Sequence, residues 1–441
     1  MIERIRKQNG NRLPMGAALA RRWRQILHAT KTSSVHEYNE RVIYGEMIFQ
    51  AIAGAGAMSF IAVYLVRLGA PNWMVGLYTS LPALVTMIVV IPVGAFVQRQ
   101  RSLIKTLNWS RFLFRAGVGS FALLAWLPTT IASYVLVTIR SLISIPGAAI
   151  NVSVISIWGK ATTAGRRPRM LSTRMAVHGI FAAGIGFLAG QWLDWAPFPL
   201  NYQLLFLSAF LAGLGSVYMM SKLRIPEAKD EEIAKKKRVN LREMAELIRD
   251  TTAFRNFAIA AFIFRMGMSM PSALYSIYRV RELGASDSWI GILLTVERII
   301  SVGAYFALSR LLNKPKFRSK LWLACLGIAL YPFITALCKT PEALLIHSFA
   351  IGIFGAGMNI FLTDTLFQVS PEEHRPTFVA ANTFLANVTA FVAPILGTAL
   401  ADATTISTAL IIIACLRFLG GLSFWRLGVG SATTNPEATL A

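Results

Sequence analysis

The chain has 441 residues, of which 55% are hydrophobic and 15% are charged, and its formal net charge is +23. A soluble protein of this length cannot bury so large an apolar fraction in one core, which excludes a water-soluble globular protein. The excess of Lys and Arg does not indicate nucleic-acid binding, because the basic residues concentrate in alternate loops between apolar segments, as in membrane proteins. We therefore expect a protein embedded in a lipid bilayer, with no nucleic-acid partner.

The N-terminal segment, residues 1–42, is basic and polar, and we assign it to the cytoplasm. Between positions 19 and 27, four apolar residues are spaced as on one face of a helix, with three arginines opposite them. This pattern predicts either a short helix lying on anionic lipid or a basic tail that only sets the topology.

Twelve apolar segments follow, each about 20 residues or longer and so able to cross a bilayer. They lie near residues 43–66, 72–97, 103–126, 130–158, 171–193, 202–221, 254–278, 287–312, 318–338, 342–368, 377–400 and 404–425. The loops on one side hold most of the Lys and Arg, and those on the other hold only Arg67, Arg279, Arg281 and Lys339. Because basic loops stay inside the cell, we expect both termini in the cytoplasm and the chain in a bacterial inner membrane.

One long polar stretch, residues 222–253, interrupts the apolar segments and contains charges of both signs at helical spacing. It reads as a partly helical cytoplasmic linker between residues 43–221 and residues 254–426, followed by a tail at 427–441. The predicted fold class is therefore an all-α polytopic membrane protein with twelve transmembrane helices in two six-helix bundles.

A sequence pattern occurs twice, as YLVRLGAPNWMVG at positions 64–76 and as YRVRELGASDSWIG at positions 278–291. Gly69 pairs with Gly284 and Gly76 with Gly291, and each pair is separated by 215 residues. In a membrane chain, a repeat of about half the length predicts two transporter halves around one central site.

The loop between the second and third segments reads GAFVQRQR at positions 94–101. Gly94 and Arg99 match a loop motif of the major facilitator superfamily, although Gln98 stands where that family usually has Asp. With its twelve segments, its halves of six and its long central loop, the chain resembles this family. The resemblance implies a secondary transporter that works by alternating access, with a central cavity lined by spans one, four, seven and ten.

The fifth span carries small residues at Gly179, Ala183, Gly184, Gly186 and Gly190. Small residues about four positions apart let helices approach closely in lipid. The pattern also resembles the Gly-rich helix of the family's antiporters, which leaves a direct role in ion coupling open. The eleventh span ends in a similar way near Gly397, and an acid follows each of the two, Asp194 and Asp402.

Ionisable residues are frequent inside the spans, where each costs about 2.5–3.5 kcal/mol and therefore needs a cavity or a partner. The arginines are Arg111, Arg115, Arg140, Arg265, Arg298 and Arg417, and the acids are Glu46, Glu297 and Asp364. The excess of arginine favours an anionic solute, because a guanidinium binds carboxylates and phosphates with paired donors.

The family geometry selects the candidate substrate-binding residues Gln50, Arg140, Asn151, Arg265, Asn359 and Asp364. Arg140 and Arg265 lie half-way along spans four and seven, one in each half, where two guanidiniums would clamp an anion. The alternative is that each arginine is the structural partner of a buried acid. Kinks at Pro146 in span four and at Pro271 in span seven are hinge candidates for alternating access.

The candidate coupling or gating residues are Glu46, Glu297, Arg298, Arg111 and Arg115. A buried carboxylate such as Glu297 can carry a proton, and the alternative is a structural ion pair with an arginine of a neighbouring helix. His178 and His347 are expected to be satisfied polar residues and not metal ligands.

No phosphate-binding glycine loop, metal-binding cluster or nucleophile constellation stands out, so we expect neither an enzyme nor a cofactor. The sequence predicts a secondary transporter of a small organic solute, anionic or amphipathic, that could be exported in exchange for a proton or another ion. The alternative is a transporter-like protein that no longer cycles and acts as a lipid or pigment chaperone or as an accessory subunit of a membrane complex.

Overall fold

The computed structural model describes residues 34–163, 166–225, 249, 251–311, 320, 322–370 and 375–429. Every regular element in this part of the chain is helical, which confirms the all-α prediction. The predicted helix near residues 19–27 and most of the 222–253 linker lie outside the described residues. We call described residues 34–225 the N-terminal half and 251–429 the C-terminal half.

The N-terminal half contains six helical segments, several of them interrupted. They are α1 Val35–Arg67 with a π-helical turn at Ile52–Met58, α2 Asn72–Gln98, α3 Leu103–Gly119 continuing as a 3-10 turn Ser120–Trp126, α4 Thr129–Leu142 and Ser144–Ala161, α5 Arg167–Trp195, and α6 Leu200–Ser221.

The C-terminal half also contains six helical segments. They are α7 Thr252–Glu282 with a break at Met270 and Pro271, α8 Asp287–Leu311, α9 Leu323–Leu337, α10 Leu344–Val369, α11 Arg375–Ala403 and α12 Ile406–Arg426. Ten of the twelve described segments are long and apolar enough to cross a membrane. The exceptions are α3, which contains Lys105, Arg111 and Arg115, and α9, of which only 323–337 forms a described helix. The count of twelve spans therefore stays a prediction.

The first helix begins at Val35, eight residues before the predicted start at 43. The hydroxyl of Ser34 caps it by accepting a hydrogen bond from the N–H of Glu37, at 3.4 Å, and a Ser three residues before a Glu is a common helix start. The added turns are anchored, since Arg166 donates to Glu40 at 3.0 Å. Arg166 donates hydrogen bonds to the carboxylates of Glu40 and Glu37, and these bonds raise the pKa of its guanidinium above the usual value.

Helix α4 breaks at Ile143 and helix α7 breaks at Met270 and Pro271. Pro146 has no N–H to donate to the carbonyl four residues earlier, so the turn around position 142 loses a hydrogen bond. Pro271 deprives the carbonyl of Gly267 in the same way. Both predicted hinge candidates therefore coincide with interruptions of the helix.

The two halves pack chiefly through α5 on α8 and α2 on α11. A Cβ on Gly190 would lie 2.7 Å from the backbone oxygen of Asp287 and 3.0 Å from the Cα of Gly291. The small residues of α5 thus bring two backbones into contact, as expected for packing in lipid. On the other pair of helices, a Cβ on Gly76 would lie 2.8 Å from the hydroxyl oxygen of Thr398.

Candidate functional site

Two hydrogen-bonded side-chain pairs, one helical turn apart, connect α1 with α3. Arg111 donates to the carboxylate of Glu46 and, at 2.6 Å, to the hydroxyl of Ser216 on α6. One helical turn along, Arg115 donates to the side-chain oxygen of Gln50 at 2.5 Å. The partners lie four residues apart on both helices, which places them on one face of each.

Of the two arginines in these pairs, Arg111 is neutralised by an acid and Arg115 is not. Glu46 and Arg111 are both buried, and their charges cancel. Arg115 is also buried, at 5% exposure, yet its side-chain partner is a neutral amide. The absence of a side chain at Gly213 makes room for it, since a Cβ there would lie 2.5 Å from the Cγ of Arg115. The interior of the N-terminal half therefore holds an excess positive charge.

Helix α5 adds a further arginine that the sequence-based prediction missed. The guanidinium of Arg174 lies over the ring of Trp158, at 4.3 Å from its centroid, and interacts electrostatically with Glu46. One turn along α5, His178 interacts electrostatically with Arg298 of the other half. Arg298 is exposed and makes no hydrogen bond or ion pair with another described residue.

The C-terminal half contains a second charged cluster, formed by four helices. Arg279 of α7 donates to Glu297 of α8 at 3.3 Å, to the hydroxyl of Tyr331 on α9 at 2.9 Å, and lies 3.1 Å from Nε2 of His347 on α10. Arg279 is 7% exposed. It was predicted to lie in an outer loop, but α7 extends to Glu282 and holds the side chain inside the bundle.

The ring of His347 faces two partners with opposite requirements. Its Nε2 lies 3.1 Å from a guanidinium nitrogen of Arg279 and 3.5 Å from Oε1 of Glu297. A neutral Nε2 accepts from the arginine, whereas a protonated Nε2 donates to the carboxylate, and one nitrogen cannot do both at once. His347 is fully buried, and its Nδ1 has no partner among the described residues. The cluster therefore has two arrangements, which differ in the tautomer of a neutral His347 ring or, when both ring nitrogens are protonated, by one proton.

The two arginines of the predicted clamp have partners other than acids. Arg140 lies 5.8 Å from the centroid of the Tyr78 ring on α2, and its buried Nε has no hydrogen-bond partner in the described chain. Arg265 donates to the backbone oxygen of Asn382 at 3.3 Å and to its side-chain oxygen at 2.9 Å. Neither forms an ion pair with a carboxylate of the described residues. Asn151 is exposed on α4.

Two other predicted substrate-binding residues share a cavity of about 420 Å³ between α8 and α10. Asn359 donates to the hydroxyl of Tyr305 at 3.4 Å. Asp364 accepts from Gln368 at 2.8 Å. The cavity is lined by Tyr305, Asn359, Ile360, Thr363, Asp364 and Phe367. It combines aromatic surface with amide, hydroxyl and carboxylate groups, a composition suited to a small organic molecule.

The loop motif after α2 makes few contacts. Arg99 is exposed, and a Cβ on Gly94 would meet no atom within 4 Å. The side chain of Gln98 and the corresponding loop at 312–319 lie outside the described residues, so the family's usual contact between this loop and a neighbouring helix end remains a prediction.

The side-chain hydrogen bonds that join the two halves within the described chain are unevenly distributed. One, from Thr295 to the backbone oxygen of Ala183 at 2.9 Å, lies half-way along α5 and α8. All the others lie where residues 67–72 and 282–287 meet, which we call the repeat end. They join Arg67 to Ala285 and Asp287, Tyr202 to Asp287, Asp194 to Asp287 and Ser288, Asn72 to Asp402, and Arg281 to Asn72 and Ala70.

Sequence reasoning missed Arg174, Arg279 and Tyr331 as site residues and treated His347 as an isolated polar group. For Arg174 the signal from hydropathy was weak, because it is only the fourth residue of the predicted fifth span, 171–193. For Arg279 the signal was the unusual Arg-x-Arg at the end of span seven, where one arginine faces inward and the other outward. Among the described residues, no group of His, Cys, Asp and Glu is arranged to hold a metal ion.

Comparison with known proteins identifies the family. A sequence model described as Major Facilitator Superfamily matches residues 47–368. Among similar solved structures, a nucleoside transporter, NupG, is 13% identical over 89% of this chain and 100% of its own, with a TM-score of 0.67. No curated protein matches the sequence.

Two more structures show the same fold. The xylose transporter XylE from E. coli, in an inward-open conformation, is 14% identical over 89% of this chain and 96% of its own, with a TM-score of 0.64. A peptide transporter, POT, in complex with sulfate is 14% identical over 92% and 98%, with a TM-score of 0.67. Sequence identities this low indicate a likeness of fold alone. The similarity of the three structures to this chain confirms the predicted fold class.

Proposed function

Because the chain belongs to the Major Facilitator Superfamily, we propose that it is a secondary transporter that moves a small organic solute by alternating access between its two halves. The observation that carries this proposal is the uneven contact between the halves. Among hydrogen bonds whose two partners are both described, those between the halves concentrate at the repeat end, with one at mid-depth from Thr295. A protein that opens at one end at a time requires a contact that can be broken at one end only.

The charge of the interior supports an anionic or amphipathic solute. Arg115, Arg140 and Arg265 have no carboxylate partner among the described residues, although each lies within a span. A buried charge without a counter-charge is costly, so a negatively charged ligand would bind where it compensates them. The similar structures are named as nucleoside, xylose and peptide transporters, which agrees with a small organic solute and does not select one.

For the substrate site we propose Arg140 and Arg265 as the anion clamp, with Gln50 and Asn151 as further candidates and Asn359 and Asp364 in the α8–α10 cavity. The unpartnered Nε of Arg140 supports this role, because a buried donor without an acceptor is available to a ligand. Glu46, Arg111 and Arg115 form a network inside the N-terminal half, which favours a gating or structural role for them.

For coupling we propose a proton carried by Glu297, with Arg298 beside it. One similar structure is named as a D-xylose-proton symporter. His347 and Glu297 can each take up a proton, and they lie 3.5 Å apart beside Arg279, which supports this assignment. The basic loops favour a bacterial inner membrane with both termini in the cytoplasm, which puts the repeat end outside. Export of the solute is favoured by the resemblance of the Gly-rich helix α5 to the Gly-rich helix of the family's antiporters.

The transport proposal is tested with purified protein in liposomes. Imposing a proton gradient should drive uptake or efflux of at least one organic anion from a labelled panel. A panel without flux under any ion gradient, together with a membrane protein that stays bound through purification, would support the alternative of a non-cycling accessory subunit or lipid chaperone.

The clamp is tested by substitution. Arg140→Ala and Arg265→Ala should each weaken binding of an anionic ligand by about tenfold or more, since a hydrogen bond to a charged group contributes about 1.5–3 kcal/mol. Binding of a neutral analogue should change by less than about threefold. Arg255→Ala, an exposed arginine on α7, is the matched control and should change neither. Equal losses for both ligands would mean that the arginines are structural.

A further inference from the structure

The two copies of the internal repeat contact each other, and they do so reciprocally. Arg67 and Arg281 occupy the same place in the two copies. Arg67 donates to the backbone oxygen of Ala285 at 2.8 Å, and Arg281 donates to the backbone oxygen of Ala70. Each arginine therefore binds the Leu-Gly-Ala turn of the other copy, not its own.

The glycines of the repeat shape the turns that receive these bonds. Gly69 and Gly284 have φ of +80° and +59°, a conformation that other residues adopt at a cost. A Cβ at either position would meet no atom within 4 Å, so backbone conformation and not space calls for glycine. The turns close their helices through the N–H of Ala70 and Ala285. The carbonyls of the same two alanines accept the bonds from the opposite half.

Each arginine has a second partner, and the second partners also correspond. Arg67 donates to the carboxylate of Asp287, the first residue of α8, at 3.1 Å. Arg281 donates to the side-chain oxygen of Asn72, the first residue of α2, at 2.6 Å. Both arginines thus hold the start of the helix that follows the other copy.

The acids at the ends of α5 and α11 complete the arrangement. Asp194 accepts from the N–H groups of Asp287 and Ser288, both at 2.9 Å, at the start of α8. Asp402 accepts from the side chain of Asn72 at 2.7 Å, at the start of α2. A carboxylate at a helix start satisfies free N–H groups and opposes the positive end of the helix dipole. Asp194 of the N-terminal half therefore caps α8, whereas Asp402 of the C-terminal half holds the first side chain of α2.

We propose that the repeat encodes a pair of exchanged clamps, centred on Arg67 and Arg281, that seals the repeat end and opens once in each transport cycle. This rests on the proposed alternating access. Ala285 and Asp287, which accept from Arg67, and Ala70 and Asn72, which accept from Arg281, lie across the boundary between the halves, so separating the halves breaks these four bonds together.

The two clamps are of unequal strength. Asp287 in the first clamp is almost buried, with 7% of its side chain exposed, and also accepts from the hydroxyl of Tyr202 at 2.8 Å. The second clamp pairs Arg281 with the neutral amide of Asn72, which is more exposed than Asp287. Breaking the ion pair of Arg67 leaves a buried carboxylate with less compensation, so the clamp of Arg67 should contribute more to the seal.

The proposal is tested by measuring the separation of the halves in lipid nanodiscs. Spin labels are attached at Thr130→Cys and Thr340→Cys, which are exposed positions of opposite halves at the repeat end. Cys415→Ser removes the exposed native thiol, since Cys325 and Cys338 are buried. The unmodified clamps should give mainly the shorter distance.

Arg67→Gln should raise the ratio of long to short distances by about tenfold or more, and Arg281→Gln by about threefold. Tyr278→Phe is the control, because it removes a hydrogen bond at the same end, to Cys338 at 2.8 Å, that stays within one half. It should leave the ratio unchanged. If Arg67→Gln does not fold, Arg281→Gln at its exposed position carries the test.

Unchanged distances in folded Arg67→Gln and Arg281→Gln would overturn the clamps, and so would an equal shift in Tyr278→Phe. The measurement needs no substrate, so it separates this proposal from the proposed function. Shifted distances without any flux in liposomes would leave the clamps standing and reject transport, whereas flux with unchanged distances would do the reverse.

Discussion

At the scale of single residues, Arg417 shows how a membrane interior accommodates a full charge. It is 1% exposed and forms no ion pair within the described chain. Its guanidinium donates to the carbonyl of Gly267 at 3.1 Å and to that of Ile328 at 3.3 Å. These carbonyls lie four residues before Pro271 and Pro332, which have no N–H to give them. The arginine of α12 supplies a donor to both carbonyls. That of Ile328 also accepts from the N–H of Tyr331 at 3.2 Å, so the replacement is complete only for Gly267.

Arg417→Leu should therefore lower the free energy of unfolding by about 2–5 kcal/mol, because it leaves the carbonyl of Gly267 without a donor and removes one of the two donors to the carbonyl of Ile328. The loss should shrink by about half or more in a Pro271→Ala, Pro332→Ala background, where the backbone supplies its own donors. Reversible unfolding in detergent measures both. An equal loss in the two backgrounds would mean that the charge or the volume of Arg417 matters, and not the freed carbonyls.

At the scale of helices, the Gly-rich face of α5 is a packing surface for α8. Gly179, Gly186 and Gly190 lie against Val302, Thr295 and Gly291 in register along the two helices. This arrangement accounts for the glycine spacing without an ion, and it brings Asp194 to the start of α8. The close packing and the contact of Asp194 at the repeat end thus involve the same pair of helices, α5 and α8.

Gly190→Ala and Gly184→Ala form a matched pair on this helix. A Cβ at Gly190 would lie 2.7 Å from the backbone oxygen of Asp287, whereas a Cβ at Gly184 would meet nothing within 4 Å. Gly190→Ala should destabilise the protein by about 1–3 kcal/mol, since two backbones must separate. Gly184→Ala should be neutral or stabilise by up to about 1 kcal/mol through helix propensity. Thermal unfolding of both variants checks this, and similar values would contradict the close approach.

At the scale of the whole molecule, each half carries one charged cluster at depth, and the clusters differ in kind. In the N-terminal half, Glu46 is held by Arg111 and by the hydroxyl of Ser216. In the C-terminal half, Glu297 shares Arg279 with a histidine that can change its protonation. We therefore propose a structural role for Glu46 and the transfer of the coupling proton at Glu297.

Glu297→Gln should abolish accumulation driven by a proton gradient while solute exchange without a gradient stays within about threefold of the unmodified protein. An amide keeps the shape of the side chain but takes up no proton. Tyr331→Phe is the control, because it removes a hydrogen bond to Arg279 at 2.9 Å without removing an ionisable group that takes part in proton transfer. Equal loss of exchange and accumulation in Glu297→Gln would show that the carboxylate is structural.

Several features could be predicted from the sequence because they are local properties of the chain. Hydropathy is a sum over neighbours, so it predicted the all-helical membrane fold. The spacing of the repeat indicated two related halves. The placement of Asn359 and Asp364 on span ten also followed from the sequence, and the structure brings both to one cavity.

Other features were decided only by the tertiary structure, because they join residues that are far apart in the chain. Arg67 and Asp287 are 220 positions apart, and Arg417 and Gly267 are 150. Whether such residues meet depends on the rotation and axial shift of helices against one another, to which hydropathy is insensitive. Arg279 illustrates the sensitivity, since four more residues of helix move a predicted loop cation into the interior. The sequence by itself therefore determined that the charges are buried, and the packing of the helices determined which partner each of them has.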